Sequence, residues 1–173
     1  MKKYFVLSLL ILGAFGAGCH WFGTPSAPTS TSSVNETQNA ATNLARDAEA
    51  QKMRAAVRTG TVLTVGDVQG PSHAAAGSAR VVKSGDKLYL ALSEDFYLLS
   101  TVPLQIQLSR YTNLKDAAEL NARGSLPVGD LTFTSGGQLY ELPAGTDWHL
   151  FKSAVFYSKT AGVIFAAATF QFN

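Results

Sequence analysis

From Gly60 to the C-terminus, apolar and polar positions alternate with a period of two inside short runs rich in Val, Leu, Ile, Phe and Tyr, and turn residues separate the runs. The pattern predicts strands over Thr61 to Val65, Ala79 to Lys83, Lys87 to Leu92, Leu104 to Ser109, Gln138 to Leu142, Ala154 to Lys159 and Val163 to Phe172. Ser84-Gly85-Asp86, a short glycine-containing turn between two alternating runs, is the clearest hairpin signal. Arg110 to Gly129 reads as a long connection, with a helical turn around Lys115 to Leu120. Strands of this length without long intervening helices predict an all-β domain, a β-sandwich or a jelly-roll-like arrangement, over 59–173.

The pattern changes upstream. Thr37 to Val57 is built from Ala, Leu, Arg, Glu, Gln, Lys and Met without Gly or Pro, so a helix is expected over 37–58. Its apolar positions are mostly alanines, which offer a weak face, and a stalk or loosely docked helix follows from that. His20 to Glu36, rich in Ser, Thr, Pro and Ala, buries too little apolar surface to offset its ordering entropy and reads as a disordered tether over 19–36. Residues 1–18 begin with Lys2 and Lys3, continue through the apolar stretch Tyr4 to Phe15 and end on Gly16-Ala17-Gly18, the layout of a cleavable export signal. The charge-free run is shorter than the ~20 apolar residues of a membrane span and carries three glycines. A spanning anchor, an ordinary secretory signal and a buried core cysteine are the alternatives to what Cys19 suggests.

Cys19 is the only cysteine, and a cut after Gly18 would leave it first. This arrangement resembles the bacterial lipoprotein signal, with Gly16 where Leu is usual. The resemblance implies that Cys19 is lipidated and is the membrane anchor, in the outer membrane or on the outer face of the cytoplasmic membrane. His20, rather than Asp, in the following position favours the outer membrane in hosts that sort by that residue. Several acyl chains on one residue anchor far more firmly than one.

Composition narrows the partners. The full chain has 14 basic and 12 acidic residues. Removal of Lys2 and Lys3 leaves the mature protein neutral, which gives no electrostatic reason for nucleic-acid binding. With its one cysteine acylated the protein has none for a disulfide, so the core alone must hold the domain.

His73, the stretch from Gly77 to Val82, Asp95-Phe96, and Gln138 to Asp147 followed by Phe151 to Val155 are similar to the DM-thirteen domain of bacterial envelope lipoproteins, often labelled an electron-transfer domain. Tyr140 to Asp147 is the most specific part of the resemblance, which covers about Gly60 to Phe172. It implies a redox role, yet the Trp-Cys pair on which the family's redox proposal rests is replaced here by Tyr157-Ser158, and a hydroxyl cannot cycle as a thiol does. The middle of the domain is looser, with Val102-Pro103-Leu104 in place of the family's Gly-Pro-Asp.

No residue set announces catalysis. His20, His73 and His149 lack metal-ligand spacing, and a nucleophile elbow and a phosphate-cradling loop are both missing. Neither a metal nor another cofactor is expected. The candidate ligand surface is His73, Asp95, Tyr157 and Ser158. The sequence thus points to a non-catalytic envelope lipoprotein whose β domain binds a protein or small ligand, with an electron-transfer module as the alternative.

Overall fold

The computed structural model describes residues 32–172. The signal peptide, Cys19 and most of the expected tether lie outside the described residues. The chain starts with helix α1 (Ser32–Thr59) and continues as strands β1 (Thr61–Gln69), β2 (Ala75–Ala76), β3 (Ser78–Ser84), β4 (Lys87–Leu92), β5 (Tyr97–Leu98) and β6 (Gln105–Ser109). Helix α2 (Ala117–Ala122), strands β7 (Leu126–Asp130) and β8 (Gln138–Glu141), one 3-10 turn (Trp148–Leu150), β9 (Ser153–Ser158) and β10 (Val163–Thr169) complete it. The domain is all-β, as the period-two pattern predicts. α1 begins five residues before Thr37, so Ser32 to Glu36, read as tether from composition, belongs to the helix.

Eight strands form one antiparallel sheet in the order β7-β6-β9-β10-β1-β3-β4-β8. The sheet rolls until its edge strands β7 and β8 lie alongside each other, a nearly closed barrel whose two halves face one another across a single core. Bulges at Leu63 in β1, Phe165 in β10 and Val128 in β7 supply local bends that help the sheet curl. β7 was hidden in the sequence inside the long Arg110 to Gly129 connection. Pro127 and Gly129 are poor strand residues, tolerated because β7 is an edge strand with a bulge.

Inward residues fill the barrel. Val81, Leu90, Leu92, Ile106, Leu108, Phe156 and Ala168 share one buried cluster. One end is plugged: the two-residue strands β2 and β5 pair over it, and Phe96 and Leu98 insert into the core, with Phe96 5.4 Å from Phe156 between ring centroids. The segment 131–136 seals this end by bonding to β5 and its neighbour, through Leu98 N–H to the Thr134 carbonyl and Gly136 N–H to the Phe96 carbonyl. At the opposite end β1 begins, β3 turns into β4 and β8 finishes, with no comparable plug among the described residues.

Two helices cover parts of the outer wall. α2 lays Ala117 and Leu120 on Val155, Tyr157 and Ile164, which explains why every residue of β9 is buried. The second half of α1 lies across β3, β4 and β8, where Met53 is 5% exposed against Val82, Ala91 and Leu139. α1 is therefore docked more firmly than its alanine-rich face suggested. The helix runs from the plugged end, where Arg54 makes two 2.6 Å bonds to Glu94, to the open end, where Thr59 leads into β1. Residues 37 to 45 are all exposed, so the first half of α1 projects past the plugged end of the barrel.

Candidate functional site

Of the four residues expected to form a ligand surface, two are buried and two are at least partly accessible. Tyr157 and Ser158 are buried, at 3% and 0% exposure. Tyr157 packs under α2, its hydroxyl donating to Gln105 Oε1 and accepting from Gln107 Nε2, both at 2.8 Å, so it is a structural element of the wall. Ser158 Oγ accepts the Ala161 N–H at 3.2 Å and Gly162 N–H bonds to the Ser158 carbonyl, which fixes the β9–β10 turn. Tyr157 is withdrawn from solvent by α2, whose apolar face covers the outward side of β9, whereas Ser158, next along the strand, falls on the inward face with Phe156. His73, half-buried, stacks on Phe165 at 4.0 Å, with its Nδ1 buried and unbonded. Asp95 is exposed in the β4–β5 turn. No side-chain hydrogen bond among the described residues joins any of the four to another, and all lie toward the plugged end.

The open end carries a different constellation. A cleft of about 570 Å³ lies over the barrel mouth, within the range usual for small-ligand sites. Its floor is Leu63, Leu88 and Leu142, the upper edge of the core. One wall is the β3–β4 hairpin, with Lys83, Asp86 and Lys87, and the other is the loop from Pro143 to Thr146 followed by Trp148 and His149. The loop is held in shape by the Thr146 hydroxyl, which donates to the Pro143 carbonyl at 2.6 Å, and by Gly145 at φ +77°, a conformation that side chains disfavour.

Aromatic packing braces the second wall. Trp148 lies against His149 at 3.9 Å with the rings tilted by 32°, and parallel to Phe172 at 5.9 Å, and the Lys152 ammonium sits 4.1 Å from the Phe172 ring centre. Asp147 accepts from the His149 N–H at 3.2 Å and contacts its Nδ1 at 3.1 Å, orienting the imidazole. Across the rim Lys87 donates to Glu141 at 2.9 Å, and this bond holds the ammonium above the usual lysine range.

Among the described residues no group of three or more His, Cys, Asp or Glu side chains gathers where it could hold a metal ion, and no helix is long and apolar enough to cross a membrane. The cleft draws on three separated segments, so neither spacing nor motif exposes it in the sequence. Its best signal was Leu142-Pro143-Ala144-Gly145-Thr146-Asp147-Trp148, a turn-rich stretch ending on an aromatic. Neither protein-family models, nor curated proteins, nor solved structures yield a match to this chain.

Proposed function

We propose that the chain is a non-catalytic envelope lipoprotein, anchored through Cys19, whose barrel binds a small ligand or a segment of a partner in the open-end cleft. The observation that carries this reading is the asymmetry of the barrel: one end is plugged by Phe96 and Leu98, while the other presents an apolar floor inside a polar rim. Entry to the core is thereby directed to one mouth. The sequence from Met1 to Cys19, which resembles a lipoprotein signal, supports the anchor. The likeness to the DM-thirteen domain rests on the quoted residues and suggests the same cellular setting.

The course of α1 fits this arrangement. A helix of 28 residues is ~42 Å long, and the chain enters it beyond the plugged end and leaves it at the open end. A lipid attached upstream would hold the cleft at the far end of the domain from the bilayer, accessible from the aqueous side.

Two arms of one experiment test the proposal. A photo-crosslinking residue at Ala144, on the cleft wall, should capture a ligand or partner in the native envelope, and one at Asp95 should not. The Cys19→Ser chain should appear as uncleaved precursor or as soluble protein. Equal capture at both positions would contradict the site, and normal cleavage with unchanged membrane fractionation of Cys19→Ser would contradict the anchor.

A further inference from the structure

We infer that the cleft binds an amphiphile with an aliphatic body and a single anionic head, a fatty-acid-like carboxylate, with Lys83 as the group that meets the head. The inference rests on the cleft being the binding site and adds the chemical class of its ligand.

Strand alternation sets Lys83 apart from the other charges of the rim. In β3, Val81 belongs to the inner core and Val82 packs outward beneath Met53, so Lys83 falls on the inward face. Its register partner is Leu88, which packs against the same core and forms part of the cleft floor. Lys83 thus stands in the register position above the apolar floor, at the solvent-exposed lip of the cleft. The neighbouring Lys87 stands on the opposite face of the sheet and is already bonded to Glu141. Asp147 and His149 engage each other. Asp86 lies in the hairpin turn, outside the strand alternation and exposed to water. Among the described residues Lys83 has no hydrogen-bond or ion-pair partner, whereas the other two lysines of the same region, Lys87 and Lys152, have Glu141 and the Phe172 ring.

The floor decides the body of the ligand. Leu63, Leu88 and Leu142 offer aliphatic surface without a hydrogen-bonding group, so the buried part of a ligand gains from apolar burial and little else. Trp148 is engaged by His149 and Phe172, which leaves it a bracing role rather than that of a platform for a flat ring. An alkyl chain fits such a floor, and its carboxylate would complement the Lys83 ammonium at the lip.

The test is isothermal titration of the full chain carrying Cys19→Ser, so that no covalent acyl group competes. The probes are decanoate, decan-1-ol and decyltrimethylammonium, each below its micelle concentration. Decanoate should bind in one-to-one stoichiometry and more tightly than the other two. Lys83→Gln should weaken it about tenfold or more, as expected for loss of a charged hydrogen bond. Lys159→Gln, in the β9–β10 turn at the plugged end, should change it by less than about twofold, and the exposed loop substitution Ala144→Trp, which fills the cleft, should abolish it. Decanol or the ammonium binding as tightly as decanoate, or an unchanged affinity in Lys83→Gln, would overturn the anionic head while leaving the cleft as the binding site. Binding that survives Ala144→Trp would overturn both. Absence of decanoate binding, with Ala144 still capturing a ligand in the envelope, would overturn the ligand class alone.

Discussion

The side chain of Gln138 pairs with both backbone groups of Phe133: its Oε1 accepts the Phe133 N–H at 2.9 Å, and its Nε2 donates to the Phe133 carbonyl at 2.8 Å. A carboxamide here takes the place of a strand neighbour, tying the segment after β7 to the start of β8 at the seam of the barrel. Gln138 is 1% exposed. Gln138→Leu, which keeps the volume and strands two partly buried backbone groups, should lower unfolding free energy by about 2 kcal/mol in urea titrations, the lower end of about 1–3 kcal/mol for each buried group left unsatisfied. A loss below about 0.5 kcal/mol would show that water replaces these bonds.

Tyr140 completes the seam by accepting the Thr132 N–H at 3.0 Å and donating to Gln138 Oε1 at 2.8 Å. Burial is the main cause that pushes its phenol above the ordinary tyrosine range. A pKa raised in the folded state means stability that is fully present below the unfolded value near ~10 and is lost as pH rises through the folded value. Stability should therefore fall in alkali. Ultraviolet titration of phenolate formation should show one tyrosine ionising late, and Tyr140→Phe should remove that step together with about 1–2 kcal/mol of stability.

Much of the fold was legible because the β pattern is local. Lys87 to Leu92 appears as read, and the other runs shift by one to four residues at their ends. β7 was not legible, since Pro127 and Gly129 mask it. The docking of α1 was not legible either, because it depends less on its own face than on a notch in the partner: a Cβ at Gly137 would lie 2.6 Å from Met53 Cε. The candidate site was the least legible part. Tyr157 and Ser158 look available in a strand, but α2, folded back from another part of the chain, covers Tyr157, and Ser158 faces into the barrel. Leu63, Lys83 and Leu142 are distant in sequence and meet only when the barrel closes.

The Gly137 notch predicts how α1 can be released. A Cβ at Gly137 clashes only with the movable tip of Met53, so the larger Gly137→Trp should lift Met53 from Val82 and Ala91, and amide hydrogen exchange over residues 46 to 58 should accelerate while the barrel strands keep their protection. Met53→Ala should cost about 2–5 kcal/mol if α1 and the barrel unfold together. A chain starting at Arg58 lacks Met53 and should be less stable than one starting at Ser32. Equal stability would make α1 an appendage.

Acid should loosen the same helix. The hydrogen bonds from Arg54 hold the Glu94 carboxyl below the usual range. A depressed folded-state pKa gives stability that is present above the unfolded value near ~4.5 and lost as pH falls through the folded one. Protection factors in α1 around Arg54, which correct for the slowing of intrinsic amide exchange in acid, should therefore fall below pH ~4.5, and Glu94→Gln should flatten that dependence. The same acid response in Glu94→Gln would assign it to other carboxylates.

The central claim is that binding occurs at the open mouth of the barrel. Its most direct test is backbone amide shift mapping on isotope-labelled protein during titration with the low-mass fraction of its native envelope. The account predicts perturbations concentrated at Leu63, from Lys83 to Leu88, and from Glu141 to Trp148. Perturbations concentrated instead at His73, Asp95 and the β9–β10 turn would contradict it.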